Sequence, residues 1–296
     1  MSKSIKITIT AVSALLIFVI AIAGYLIPAF TGFWSDNMLL SAFKQATHWN
    51  MKSLANSGDV YSQELLGWHY LSSPNYDFDE AVKWLELSAA QGNQEVMESL
   101  ALMFCNSTES EAHIDMERAV EWAIRAAEQS VETGVKFNWS GSIPSYWHGN
   151  NLFDRGEYSE AIFEFAHAAG EALPWGMNCL GTCYELGVGV EQDNRKALYW
   201  YAKAAKRGLP QGQFNLGLAY FKGEIIEEDL YEAVYYFLLA AEQGNASAQY
   251  YLGFCYQNGY GVKQNYEQAV YWYRRSAKQG NAFAQNNLET LLQIKE

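Results

Sequence analysis

An alanine pair repeated six times constrains the fold of this chain more than any other feature. In each copy the second alanine follows the first after eight residues, which is about two helical turns. The first alanines are Ala81, Ala119, Ala161, Ala197, Ala233 and Ala269, and the second are Ala89, Ala127, Ala169, Ala205, Ala241 and Ala277. The copies lie 36 to 42 residues apart, a period typical of one helical hairpin repeated along a chain. The sequence therefore predicts an all-α fold, a right-handed α-solenoid of about six stacked hairpins.

The three C-terminal copies align without gaps at a spacing of 36 residues. Their first helices share a Leu-Gly pair and a tyrosine three residues after the glycine. These residues are Leu180-Gly181 with Tyr184, Leu216-Gly217 with Tyr220, and Leu252-Gly253 with Tyr256. Leucine and tyrosine four apart lie on one helix face. Glycine costs a helix roughly 1 kcal/mol relative to alanine, so we expect these glycines where a partner helix comes close.

Paired glycines follow the first helices, and single glycines close the second ones. Gly187 with Gly189, and Gly259 with Gly261, supply backbone angles that other residues avoid. The second helices read Ala-x-x-Trp, Ala-x-x-Tyr and Ala-x-x-Trp, and then carry Ala-Ala or Ser-Ala. Each is closed by a glycine for which we expect a left-handed conformation: Gly208, Gly244 and Gly280.

These columns resemble the Sel-one-like repeat family, a relative of the tetratricopeptide repeat. The resemblance rests on the Leu-Gly helix, the Gly-x-Gly-Val loop and the Ala-x-x-Trp helix with its terminal glycine, and it covers about residues 56–290. It implies a module that binds other proteins. Proteins similar to this family act as adaptors in assembly and signalling, and some exported bacterial members are immunity proteins that neutralise a secreted antibacterial toxin.

The N-terminal copies depart from this pattern. The first replaces the glycine loop by residues 72–75, and the second has Ala101 in place of the glycine. The third has a short turn at Gly156, closer to a tetratricopeptide hairpin, and residues 131–145 before it form an insertion. We expect the array to bend or change pitch there. Irregular copies are candidate sites for a specific partner, and looser packing constraints explain them equally well.

The N-terminal segment differs from the repeats. Between Lys6 and Asp36 lie 29 residues without a charge, and about 20 apolar residues suffice to cross a bilayer. Lysines before this segment place the N-terminus in the cytoplasm and the repeats on the periplasmic side of the inner membrane. The alternative is export followed by signal cleavage near Ala23. The predicted parts are residues 1–35 as the anchor or signal segment with the membrane span at 7–34, 36–55 as a connecting helix, and 56–296 as the repeat solenoid.

Composition narrows the classes of partner. A formal net charge of −13 argues against nucleic acid, whose phosphates need clustered Lys and Arg, and favours a neutral or basic protein. The usual catalytic and nucleotide-binding motifs do not occur, so we predict no enzyme, cofactor, metal or small-molecule substrate. His69 shares a column with Cys183 and Ala219 and is expected to be partly buried rather than catalytic. Cys183 and Cys255 are interpreted as packing residues, with a structural disulfide left open.

Two acidic clusters and four aromatic residues are the candidate partner-binding positions. The acidic ones are Glu109, Glu111 and Asp115 in the second repeat, and Glu224, Glu227, Glu228 and Asp229 in the fifth. The aromatic ones are Trp139, Tyr146, Trp147 and Trp175, which have no column mates. Acidic residues also stabilise helix starts, and the tryptophans also suit a plug between mismatched repeats.

The sequence thus predicts a membrane-tethered, non-catalytic solenoid that binds another protein in the periplasm. An immunity protein against a basic or toxin-like partner fits the resemblance. A structural or regulatory scaffold for envelope or secretory-pathway proteins is the alternative.

Overall fold

The computed structural model describes residues 51–72, 76–105, 115–136 and 146–293. All regular secondary structure within these ranges is helical, as predicted. Residues 51–56 are helical, and the later helices are α1 Val60–Ser72, α2 Phe78–Ala89, α3 Gln94–Cys105, α4 Met116–Thr133, α5 Tyr146–Asp154, α6 Tyr158–Gly170, α7 Pro174–Leu186, α8 Asn194–Lys206, α9 Pro210–Lys222, α10 Leu230–Glu242, α11 Ala246–Asn258, α12 Tyr266–Ala277 and α13 Ala282–Gln293. The described residues divide into two compact units, one up to Gln91 and the other from Gly92 onward.

The predicted membrane segment, residues 7–34, lies outside the described residues, as does most of the predicted connecting helix. Among the helices that the structure describes, none combines the length and the apolar character that a bilayer crossing requires.

The first unit contains the α1–α2 hairpin. A Cβ added to Gly67 of α1 would lie 2.5 Å from Leu85 Cγ of α2, so the missing side chain lets the two helices approach. Trp84 is buried beside Leu66. His69 was predicted to be partly buried, but it is exposed, because it lies outside this small apolar cluster and contacts Tyr70 edge-on.

The second unit is a stack of hairpins closed by α13. The pairs α3–α4, α5–α6, α7–α8, α9–α10 and α11–α12 each pack internally, and successive pairs pack on one another. The alanine columns form the seams: eleven of the twelve recurring alanines in the whole chain are buried, and Ala277 is half-buried. The column tryptophans Trp122, Trp200 and Trp272 are buried as predicted. Ala219 is only partly buried, contrary to expectation, because it lines a small cavity.

The predicted glycine contacts and caps are confirmed. A Cβ on Gly181 would lie 2.6 Å from the ring of Tyr201, and one on Gly253 would lie 2.8 Å from the ring of Tyr273. Gly208 and Gly244, which follow second helices, have φ of +82° and +95°, the left-handed region that favours glycine. Helix spacing and helix ends are therefore set by the same residue type at different positions.

Buried glutamines link the two ends of a hairpin and also link successive hairpins, a feature the sequence patterns did not reveal. Gln249 of α11 donates to the carbonyl of Ala241 in the preceding hairpin at 3.0 Å and accepts from Gln279, at the end of its own hairpin, at 2.9 Å. Gln213 of α9 accepts from Gln243, at the end of its own hairpin, at 2.8 Å. Because Gln213 and Gln249 are at least 95% buried, these hydrogen bonds are made in a region without solvent.

Helix α6 is buried on almost every side. Ten consecutive residues, 161–170, include a single one that is not fully buried, Glu164. A helix that is apolar all round belongs in a core rather than at a surface. It is covered by α4, α5 and α7, and Tyr199 of α8 donates from its hydroxyl to Glu132 of α4 at 3.4 Å. Helix α6 of the third hairpin thus lies inside the stack, and the second and fourth hairpins come close to each other beside it.

Candidate protein-binding cleft

Two of the predicted acidic candidates hold helix starts. Asp115 accepts a hydrogen bond from the backbone nitrogen of Arg118 at 3.0 Å, and so caps the N-terminus of α4. Asp229 accepts from the backbone nitrogens of Tyr231 and Glu232, each at 3.0 Å, and caps α10. Their carboxylates therefore serve the fold directly.

The remaining acidic candidates separate into two groups. Glu224, Glu227 and Glu228 are exposed in the loop between α9 and α10. Glu109 and Glu111 lie outside the described residues. These three carboxylates of the fifth repeat are therefore accessible. They do not line a cleft as large as the one beside α4 that is described below.

The aromatic candidates are described only in part. Trp139 lies outside the described residues, and Tyr146 and Trp147 begin α5 with side chains that are likewise outside the description. Trp175, in the first turn of α7, is half-buried, with its ring edge-on to Phe165 at a centroid distance of 6.4 Å. This contact favours a gap-filling role for Trp175 between the third and fourth hairpins.

Loops of equal length join the helices of the last three hairpins, and each lies on the preceding hairpin. Seven residues separate α7 from α8, α9 from α10 and α11 from α12. A Cβ added to Gly189 would lie 2.5 Å from Ile162 at the start of α6, and one added to Gly261 would overlap the carbonyl of Leu230 at the start of α10. In the intervening loop Ile225 lines the same cavity as Ala197, which is near the start of α8.

The third hairpin lacks such a loop. Only three residues, 155–157, turn the chain from α5 to α6. The start of α4, where the pattern of the other hairpins would place a seven-residue loop, is therefore not covered by one. A cleft of about 580 Å³ lies there, between α4 and the α7–α8 loop. We call it the α4 cleft. Its lining residues are Glu117, Val120, Glu121, Ile124, Arg125, Glu128, Tyr184, Gly189, Val190, Glu191, Gln192, Asp193 and Lys196.

The α4 cleft has an apolar floor and an acidic rim. Val120, Ile124 and Tyr184 are buried, with 5–6% of their surface exposed. The lining includes five carboxylates, contributed by four glutamates and one aspartate, against one arginine and one lysine. The local charge therefore has the same sign as the net charge of the chain, and it is concentrated around an apolar surface.

Both cations of the cleft already have partners. Arg125 pairs with Glu121 at 2.6 Å, and the Lys196 ammonium lies 5.0 Å from the ring centre of Tyr184. Asp193 is the N-cap of α8 and accepts from two backbone nitrogens. Three carboxylates of the lining accept no hydrogen bond from any residue that the structure describes: Glu117, Glu128 and Glu191.

Glu128 is the most enclosed of these three carboxylates. Burial raises its pKa, and Glu132 acts in the same direction, whereas Lys196 and Arg125 oppose the shift. Burial also raises the pKa of the neighbouring Tyr184 hydroxyl, which therefore stays neutral. A carboxylate in this setting gains more from an incoming cation than one in open solvent, because less water competes for it.

Sequence patterns missed Glu117, Glu128 and Glu191 as site residues. Glu128 and Glu191 belong to different repeats, so no spacing within one repeat relates them. The shortened turn at Gly156 is visible in the sequence and is the feature that could have indicated the cleft. Its consequence for α4 follows only from the way the loops lie on preceding hairpins.

The titratable groups of the core are poorly suited to acid–base or nucleophilic chemistry. His167 is 7% exposed, and burial lowers its pKa to about 4, so the imidazole is neutral at pH 7. All four cysteines are free thiols, and burial raises the pKa of Cys183 and of Cys255 to about 12. Thiols with such pKa values are poor nucleophiles, and Cys183 and Cys255 are confirmed as buried packing residues.

Several solved structures are similar to this chain. Two of them are a protective antigen of uropathogenic Escherichia coli strains displaying an SLR fold (28% identity, 81% of this chain and 50% of that chain, TM-score 0.45) and a Sel1 repeat protein from Oxalobacter formigenes (27% identity, 81% and 78%, TM-score 0.43). The chain thus spans half the length of the Escherichia coli antigen. A search of curated proteins gives no match.

The family itself is shown by the repeats. The model described as "Sel1 repeat" matches residues 60–93, 95–131, 176–209, 210–245 and 246–281, together more than half of the chain. The unmatched stretch 132–175 contains the irregular third hairpin. Repeats of this kind generally mediate binding to other proteins and are typically non-catalytic scaffolds. The chain belongs to the Sel1 repeat family.

Proposed function

We propose that this protein is a membrane-tethered binding module whose repeats capture another protein on the periplasmic side of the inner membrane. The observation that carries the proposal is the α4 cleft. The last three hairpins fill the equivalent position with their own loops, whereas the third hairpin leaves it open. The floor of the resulting cleft is apolar. An apolar surface with a polar rim is the kind of surface that partners bury.

The tether is supported by the uncharged stretch between Lys6 and Asp36 and by the lysines before it. A C-terminal fusion of the full chain to alkaline phosphatase, which is active only after export, tests the orientation. Phosphatase activity in the membrane fraction supports the tether, activity released in soluble form supports signal cleavage near Ala23, and a cytoplasmic, inactive fusion contradicts export.

The partner class we propose is a secreted antibacterial toxin, with this protein as its immunity protein. The family resemblance and the acidic charge support this choice, because an acidic surface favours encounter with a basic enzyme. A scaffold for envelope proteins is the second candidate, supported by the same repeats.

Affinity capture with the full chain distinguishes the two. The protein, tagged at its C-terminus and held in detergent, is exposed to envelope and secreted proteins of the host and of competing bacteria, and bound proteins are identified by mass spectrometry. One tightly held secreted toxin, whose activity the protein inhibits, supports the immunity role. Capture of several envelope proteins supports the scaffold. If nothing is captured beyond what a charge-matched control protein captures, both candidates are contradicted.

A further inference from the structure

We propose that the α4 cleft binds an extended, basic segment of the partner polypeptide, with a Lys or Arg side chain directed to Glu128. This inference rests on the proposed function and specifies the chemistry by which the module recognises its partner. The segment takes the position that the loop of a regular hairpin would occupy.

The shape of the cleft favours a peptide segment as occupant. In the neighbouring hairpins the equivalent space holds backbone of the chain itself, with Gly189 against Ile162 and Gly261 against Leu230. The space beside α4 is bounded in the same way, by the start of a second helix on one side and by the α7–α8 loop on the other. A partner loop that enters it reproduces an arrangement that this fold already makes.

Charge determines which segment fits. The five carboxylates of the lining exceed its two cations, and both cations are engaged, Arg125 with Glu121 and Lys196 with the ring of Tyr184. An acidic segment would meet repulsion on both walls. A basic one would meet Glu117 and Glu191 at the rim and Glu128 further in, all three able to accept hydrogen bonds.

Glu128 is the central acceptor because of its depth. It is half-buried on α4, one turn beyond the buried Ile124, whereas Glu117 and Glu191 are exposed. Hydrogen bonds between a guanidinium or ammonium and a carboxylate are roughly twice as strong as neutral ones, and a planar guanidinium can bind both oxygens at once. The apolar stem of the same side chain can rest on Val120.

Two synthetic peptides that differ in one side chain provide the test. The sequence acetyl-Gly-Val-Arg-Gly-Val-amide is titrated into the full chain in detergent, beside the same peptide with Gln for Arg. Methyl NMR signals of Val120, Ile124 and Val190 report occupancy of the cleft. We expect the Arg peptide to shift these signals and to bind about tenfold more tightly than the Gln peptide, the ratio that 1.4 kcal/mol gives.

Matched variants locate the acceptor. Glu128→Gln should weaken the Arg peptide about tenfold and leave the Gln peptide unchanged. The control Glu242→Gln removes an exposed carboxylate at the end of α10, and binding should not change. If Glu128→Gln unfolds the protein, as judged by circular dichroism, Glu191→Gln on the loop serves instead and should weaken binding in the same direction.

Equal affinity for the two peptides, signal shifts outside the cleft, or no shift at saturating peptide would overturn the inference. These results are separate from failure of the proposed function. A partner captured equally well by wild type and by Glu128→Gln leaves the binding module intact and refutes only the cleft, whereas absence of any captured partner refutes the module itself.

Discussion

At the scale of single residues, one glycine column decides how closely the two helices of a hairpin can approach. Gly181 lies against Tyr201, which is 5% exposed and donates from its hydroxyl to Glu185 at 2.6 Å. Because the backbone of Tyr201 is held in α8 and its hydroxyl is held by Glu185, the ring cannot move aside for the methyl group of an alanine at position 181. Steric fit and helix propensity therefore act in opposite directions at this position.

Substitution of this glycine separates the two effects. Propensity alone would make Gly181→Ala stabilising by about 1 kcal/mol, whereas the contact at 2.6 Å predicts overpacking and a net loss of about 1–3 kcal/mol in the free energy of unfolding. Urea unfolding followed by circular dichroism measures the difference. The exposed Asn286→Ala on α13 is the control and should stay within about 0.5 kcal/mol of wild type. A stabilised Gly181→Ala variant would show that Tyr201 can move.

His167 gives a prediction about pH. Its folded-state pKa of about 4 lies below the ordinary value of 6.5, so above pH 6.5 the imidazole is neutral in both states and contributes no pH dependence. Between pH 6.5 and 4 the unfolded chain takes up a proton that the folded chain does not, and stability falls with falling pH. We expect this contribution to reach roughly 3 kcal/mol at pH 4.

The measurement compares the slopes of stability against pH for wild type and two variants. His167→Leu should flatten the slope between pH 6.5 and 4, and Asn286→Ala, an exposed change that removes no titratable group, should leave it as in wild type. Identical slopes for wild type and His167→Leu would mean that the imidazole is protonated in the folded protein.

At the scale of elements, much of the fold follows from the sequence and the cleft does not. The alanine, tryptophan and glycine columns predicted the hairpins, their contacts and their caps, because each is a local requirement repeated at a fixed spacing. The cleft depends on how one hairpin lies on another. The short turn at Gly156 can be recognised in the sequence. Only the close approach of Gly189 to Ile162 shows that a shortened turn leaves the start of the preceding second helix uncovered.

The glutamine links within and between hairpins were missed for a related reason. A buried amide and an exposed one look alike in sequence, and only the packing of successive hairpins decides which glutamines face inward. Gln249 and Gln285 occupy the same position in consecutive first helices, yet Gln249 is 1% exposed and Gln285, on the last helix, is exposed. The pair therefore offers the same side chain in two environments.

This pair supports a prediction about coupling between hairpins. Gln249→Ala removes the donor to the Ala241 carbonyl and the acceptor for Gln279, so we expect a loss of about 1–3 kcal/mol in the free energy of unfolding. Gln285→Ala, whose hydrogen bond to Ala277 is exposed and long at 3.5 Å, should cost less than about 0.5 kcal/mol. Thermal unfolding of both variants measures the contrast, and equal losses would mean that the two hydrogen bonds of the Gln249 side chain contribute nothing to stability.

At the scale of the whole molecule, charge shapes the rate at which a partner is found more than the strength with which it is held. The chain carries 33 acidic and 20 basic residues, and its repeats before Lys136 are the more acidic part. Like-charge repulsion keeps acidic chains apart, while a basic partner is attracted over a distance set by the ionic strength. The screening length falls from about 30 Å at 0.01 M salt to about 8 Å at 0.15 M.

If the captured partner is basic, its association rate constant should fall about tenfold or more between 0.01 M and 0.15 M salt, because steering depends on unscreened charge. The dissociation rate constant should change much less, since the contacts at the apolar floor of the α4 cleft are little affected by salt at these concentrations. Stopped-flow or surface-based kinetics at several salt concentrations resolves the two constants.

Replacement of Glu224, Glu227 and Glu228 by Gln should reduce the salt dependence of association without altering the dissociation rate constant, because these exposed carboxylates lie outside the α4 cleft. Association that is independent of salt would show that the partner is recognised through apolar contacts alone and that the acidic surface serves solubility.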